Sequence, residues 1–151
     1  MKKHITTIAL SLLAQAALAC KIPPQAYDMR AYLRDADMPK VVVKAKVEEV
    51  TELLRQGGVV EQRAELATTS WWRGEATPNI TMIANSGGMG GTSCEGVWDF
   101  SVKVGEEWLI VGVINDGVVH PLPRLSTRII DGRVPPQLRK LLGRSRSAAD
   151  S

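Results

Sequence analysis

From Val41 to Val47 the chain alternates at period two. Val41, Val43, Ala45 and Val47 share one side, while Lys44, Lys46 and Glu48 share the other. This alternation predicts a β-strand with one buried face. Leu53 to Gly58 leads into a turn, and Val59 to Trp72 reads as a second long strand. Gly74 to Pro78 is a loop before a third strand over Asn79 to Ala84. The run SGGMGG, Ser86 to Gly91, then passes as a flexible loop into Cys94. Val97–Val102 and Trp108–Ile114 complete a set of five strands, with a turn at Gly105 between them. Helical spacing is confined to the ends. Ala26, Met29 and Leu33 line one side of Gln25–Ala36, and Gln137–Leu142 follows Pro135-Pro136, where a missing N–H is tolerated. After Pro121 and Pro123 the pattern is less regular, and Arg144–Ser151 reads as a disordered tail. Five strands with a short helix near each end predict a small all-β barrel or sandwich, of which the OB-fold is one solution.

The first twenty residues follow a different logic. Lys2 and Lys3 precede a short apolar stretch from Ile5 to Ala17, and Ala17-Leu18-Ala19 has the small-x-small form that signal peptidases cut after. That stretch would rise about 20 Å as a helix, too short for a hydrocarbon core of about 30 Å. No other segment is long or apolar enough to span a bilayer. Residues 1–19 are therefore expected to be a removable signal peptide of a secreted or periplasmic protein, with residues 20–143 as one domain and 144–151 as its tail. Lipidation of Cys20 is the alternative fate of this terminus.

Removal of the leader changes the charge. The full chain has 19 basic and 16 acidic residues, and the leader takes two lysines with it, leaving 17 against 16. A near-neutral chain argues against electrostatic binding of nucleic acid. Cys20 and Cys94 are the two cysteines. In an oxidising compartment they most simply pair with each other. Such a closure is worth about 4 kcal/mol by the loop-entropy estimate.

The supply of catalytic chemistry is thin. His120 is the one histidine beyond the leader, flanked by Val119 and Pro121, and reads as a loop residue. There is no HExxH and no paired Cys/His spacing for a resident metal. Glu48-Glu49 and Glu106-Glu107 are adjacent acids that point to opposite faces of a strand, so neither pair suits a shared proton. The glycines of SGGMGG lack the Lys-Ser/Thr of a phosphate loop. Trp71, Trp72, Trp98 and Trp108 lie on predicted strands and are expected in the core. No enzyme and no cofactor is expected.

The order of several short motifs carries more information. Cys20 is followed by Pro24-Gln25-Ala26-Tyr27, then Ala36-Asp37, then Val41-Val42-Val43-Lys44-Ala45-Lys46-Val47. Trp72-Arg73-Gly74, Thr92-Ser93-Cys94 and Val104-Gly105-Glu106-Glu107-Trp108-Leu109-Ile110 come later. This ordered set, over roughly Cys20 to Arg128, resembles the N-terminal domain of the tissue inhibitors of metalloproteinases and bacterial netrin-like relatives. The resemblance implies a five-stranded OB-like barrel. It also implies a mechanism in which the α-amino nitrogen and carbonyl oxygen of Cys20 chelate the zinc of a target metalloprotease. Lys21 would enter the pocket beside that zinc, and Thr92-Ser93-Cys94 would flank it. The predicted Cys20–Cys94 bond would hold the chelator in place.

The chain also departs from the family. Lys21-Ile22 follows Cys20 where the family has Cys-x-Cys, and Arg124-Leu125-Ser126 stands where the partner of that second cysteine is expected. Glu95 replaces a glycine. Two functional expectations follow: a metalloprotease inhibitor acting through Cys20, or a non-enzymatic envelope interaction module that binds some other extracytoplasmic protein without chelating zinc.

Overall fold

The structure is a computed structural model that describes residues 23–87 and 99–147. Among the described residues seven strands are formed: β1 (Lys40–Gln56), β2 (Val59–Arg73), β3 (Asn79–Ser86), β4 (Glu107–Asn115), β5 (Val118–Pro121), β6 (Thr127–Ile129) and β7 (Arg146–Ser147). Two helices flank them, α1 (Met29–Arg34) and α2 (Pro136–Leu142).

β1, β2 and β3 form an antiparallel meander, β5 joins β3 in parallel, and β4 pairs antiparallel with both β5 and β1. The circuit 1-2-3-5-4-1 is closed. This is an OB-like five-stranded barrel, one of the all-β solutions that the strand pattern left open. β1 serves two neighbours, pairing with β2 along its length and with β4 over Lys40–Lys46. A strand of 17 residues can do this only by bending. Its register against β2 shifts at Val42/Val43, Lys44/Ala45 and Val47/Glu49, and such bulges bend a strand and tighten its twist. Beyond Val47, whose N–H and C=O are taken by Glu106 and Gly105, β1 continues as an exposed hairpin with β2. The strand therefore extends through Leu53 to Gln56, where sequence placed only the approach to a turn.

Two apolar layers hold the fold. Inside the barrel Val41, Val43, Ala45 and Val47 meet Leu66, Trp71, Met82, Ile110 and Val119. Outside it, Val42, Leu109, Val111 and Trp72 are covered by Ala26, Met29, Tyr32, Leu122, Leu125 and Leu142. The second layer explains why Val41–Val43 and Leu109–Val111 are unbroken apolar runs. Both faces of β1 and β4 are buried there, so alternation has no polar side to record. Trp71 and Trp72 divide between the layers, one inward and one outward. Trp108 is half-buried at the barrel end, edge-on to Phe100 at 4.9 Å between ring centroids.

Four local expectations are corrected. The helix expected over Gln25–Ala36 is broken in two: a 3-10 turn over Pro24–Ala26, then α1. Asp28 causes the break, since its side chain accepts from the N–H groups of Arg30 and Ala31 and caps a new helix start. The described part of the strand expected over Val97–Val102 is not one. Asp99 makes a single bridge to Asn85, and Phe100 and Val102 are buried in the barrel's apolar layer. Their N–H groups go to Asn85 O and the Gln62 side chain instead of to a ladder. The fifth barrel position is filled by β5, so His120 sits on a strand and not in a loop. Finally, Arg146 and Ser147, expected in a disordered tail, pair with Trp71 and Ser70. The Trp72 indole N–H also donates to Gly143 O at 3.0 Å, fastening this C-terminal strap to the end of β2.

Candidate functional site

The residues singled out by sequence, Cys20, Lys21, Thr92, Ser93 and Cys94, lie outside the described residues, as do the expected Cys20–Cys94 disulfide, Glu95 and Trp98. What the structure does give is the frame from which those segments leave. Pro23, the first described residue, lines a cleft of ≈ 330 Å³ together with Gln25, Ala26 and Met38 from the N-terminal segment. Its floor is the outer side of three strands: Ile83 and Asn85 of β3, Val113 of β4, and His120 and Pro121 of β5. Asn85 is also the β3 residue that bridges to Asp99, where the chain returns after the Cys94 segment. The chain's N-terminal entry and the exit and return of the Cys94 segment thus share one edge of the barrel.

The cleft wall is fixed by a short polar network. The Gln25 side-chain amide N–H donates to Asp35 Oδ2 at 2.9 Å, which orients the amide across the N-terminal turn. This bond, followed by backbone N–H donation from Asp37 and Met38, holds the Asp35 carboxyl below the usual carboxylate range. A lowered folded-state value means the contribution is present above the ordinary aspartate range and is lost as pH falls below that range, through the lowered value. Acidification below that range, or Asp35→Ala, should therefore lower the protection of the Ala26 and Tyr27 amides against exchange, relative to unfolded-chain rates at the same pH. Amide exchange followed by NMR checks this, and unchanged protection at both would refute the role given to the pair.

Just past Asn85, the start of SGGMGG is committed to a close approach. Gly87 has φ +73°, and its N–H donates to Asp99 Oδ1 at 3.1 Å. A Cβ there would stand 2.2 Å from Gly58 O in the β1–β2 turn. The glycine is used for backbone contact as well as for freedom.

The acids do structural work. Glu106 accepts from the Lys103 N–H and the Trp108 indole, each at 3.0 Å, and faces Arg128 at 3.3 Å. Glu107 faces Lys44 at 3.5 Å. Among the described residues no group of three or more His, Cys, Asp or Glu is placed to hold a metal, and no helix is long and apolar enough to cross a membrane. His120 has no acid or nucleophile as a hydrogen-bond partner among the described residues. What sequence reasoning missed is the floor of the cleft. Ile83, Asn85 and Val113 are the outward residues of strands whose inward partners dominate the pattern, and no motif marks them. Compared with models of known protein families and with curated proteins, the chain finds no match.

Proposed function

We propose that the mature chain is an exported binding protein that inhibits a zinc metalloendopeptidase through its Cys20 terminus, in the manner of the tissue inhibitors of metalloproteinases. The observation that supports this most is the shared edge: Pro23, Asn85 and the Asn85–Asp99 bridge lie around one cleft on an OB-like barrel. Pro23 stands three positions after Cys20, and Asp99 five positions after Cys94. At about 3.4 Å per residue the two cysteines are tethered within ~10 Å and ~17 Å of those points. A Cys20–Cys94 bond between segments tethered in this way would fix the free α-amino group against the barrel.

In this mechanism the α-amino nitrogen and carbonyl oxygen of Cys20 ligate the target's zinc and displace its catalytic water. Lys21 enters the adjoining pocket, and Thr92-Ser93-Cys94 supports the wedge. A cationic Lys21 selects a protease whose pocket carries an acid, in place of one lined by apolar groups. The amine must be unprotonated to bind metal. An α-amino pKa of about 7.7–8.0 therefore makes inhibition weaken as pH falls below that range. The test is a comparison of the natively processed protein with a form carrying one extra residue before Cys20, against a panel of zinc endopeptidases. The native form should inhibit at least one, and the extension should abolish it. Equal inhibition by both forms would sink the mechanism.

A second reading, an envelope interaction module without chelation, is favoured by Lys21-Ile22 in place of Cys-x-Cys and by Glu95. It is preferred if no protease responds and binding to an envelope protein survives the N-terminal extension.

A further inference from the structure

The near-neutral total conceals a strong segregation of charge. From Cys20 to His120 the chain has ten Lys and Arg against fourteen Asp and Glu. From Pro121 to Ser151 it has seven Lys and Arg against Asp131 and Asp150. Sequence position by itself does not make a surface, but the fold gathers part of this excess. Gly143 N–H donates to Arg139 O at the end of α2, and Gly143 O accepts from the Trp72 indole. Arg146 pairs across from Trp71, and its guanidinium donates to Gly74 O, the residue after Arg73. A chain of direct contacts thus brings Arg139, Lys140, Arg144 and Arg146 around the end of β2, where Arg73 stands.

The first four of these side chains are exposed, and Arg73 is half-buried. Among the described residues none of the five has a carboxylate within 4.0 Å, and the ion pairs that do form engage Lys44, Arg55, Arg63 and Arg128 elsewhere. The nearest acid along the chain is Glu75, exposed and outside any ion pair among the described residues. Cations in the last turn of α2 also suit the helix dipole, which accounts for Arg139 and Lys140 but not for Arg144, Arg146 or Arg73.

We infer that this strap-and-helix face is an electrostatic docking surface for an anionic lipid bilayer. The cations project from a helix end and an edge strand. Neither the cleft described above nor the hollow at Glu49, Thr51, Leu53, Arg63 and Glu65 includes any of them. Such a face meets a broad charged plane better than it grips a threaded strand. Trp71 and Trp72, the aromatics nearest the cluster, are both buried, so the face offers no ring on which nucleic-acid bases could stack. The leader read over residues 1–19 takes the mature protein to the cell envelope, and clustered Lys and Arg are what anionic lipid headgroups attract.

The test uses residues 20–151 with vesicles of phosphatidylglycerol and phosphatidylcholine, against vesicles of phosphatidylcholine alone, in a flotation assay. The protein should float with the anionic vesicles only, and raising the salt should release it. Each cation near the surface is worth roughly a fivefold change in partitioning. Arg139→Gln with Lys140→Gln should then weaken binding roughly 25-fold, and Arg144→Gln with Arg146→Gln by a similar factor. Arg55→Gln with Arg63→Gln, which removes cations already paired to Glu52 and Glu65, should leave it unchanged. Two variant pairs in different elements keep the result readable if loss of the Arg146–Gly74 bond loosens the strap, and thermal unfolding verifies that each is folded. Binding to neutral vesicles as well, equal binding by all variants, or retention of duplex DNA without vesicle binding would overturn the inference.

Discussion

Replacing Gly112 by alanine should lower stability by about 3 kcal/mol, at the upper end of what overpacking a closed core costs. Gly112 lies in β4 opposite Pro121 of β5. A Cβ built there falls 2.5 Å from His120 O, 3.1 Å from His120 C and 3.2 Å from Pro121 Cα. All three are backbone atoms, so no side-chain rotation relieves the contact and β5 itself must move. β5 is the four-residue strand through which β3 and β4 are joined, so its displacement opens the barrel circuit. The shift would also carry His120 and Pro121, and with them the floor of the cleft. Gly117→Ala is the informative control. Gly117 has φ +77° but nothing within 4 Å of an added Cβ, so it should suffer only the left-handed backbone penalty of about 1–2 kcal/mol. Calorimetric unfolding of both variants decides the matter. If Gly112→Ala is no more harmful than Gly117→Ala, β5 is loosely held and the barrel is not closed through it.

β5 is also where sequence reading was weakest, and the reason is physical. β1 to β3 were legible because each presents three or more buried residues at period two, as in Val41, Val43, Ala45 and Val47, or Ile80, Met82 and Ala84, and β4 was legible as the apolar run Leu109–Val111. Val118–Pro121 contributes Val119 alone to the barrel interior, too short for any period to appear. Phe100 and Val102 misled in the opposite sense. They alternate with polar neighbours and are both buried, yet their N–H groups bond to one carbonyl and one side chain, so the pattern of a strand occurs without its ladder. Alternation reports burial on one side. It does not report pairing.

The helical layer shows the same limit. Ala26 and Met29 were placed correctly on the buried side, but Tyr32, fully buried, was not, whereas Leu33 is only half-buried. The Asp28 cap restarts the helix and rotates its inner side by one residue. For the cleft, the N-terminal wall was legible through Pro24-Gln25-Ala26, because a motif marked it. The strand floor was not, because Ile83, Asn85 and Val113 come together only when β3, β5 and β4 are laid side by side.

Tyr32→Phe should cost about 3 kcal/mol and remove a component of alkaline sensitivity. The hydroxyl reaches through the outer layer to the seam between β1 and β4. It accepts from Val41 N–H at 3.0 Å and lies 2.6 Å from Gly112 O and 2.9 Å from Val41 O, with one proton to donate between the two carbonyls. Val41 and Gly112 are opposite each other across that seam, so the phenol completes a ladder position that the strands leave open. Phenylalanine fills the same space but leaves a buried N–H and a buried carbonyl without partners, at about 1–3 kcal/mol each. Burial drives the Tyr32 pKa well above the ordinary tyrosine value, with the two carbonyl contacts and the charge of Arg73 opposing it only in part. The sign follows from linkage. Below the ordinary value of about 10 both folded and unfolded chains hold the proton, and the full contribution is present. Above it the unfolded chain ionises while the folded chain does not, so stability falls by up to about 1.4 kcal/mol per pH unit. Denaturant unfolding at pH 8 and at pH 11 separates the two effects. The native protein should lose more stability than the Phe variant between those values. Equal losses would show that the unfolded chain's Tyr32 proton is not what sets the alkaline limit.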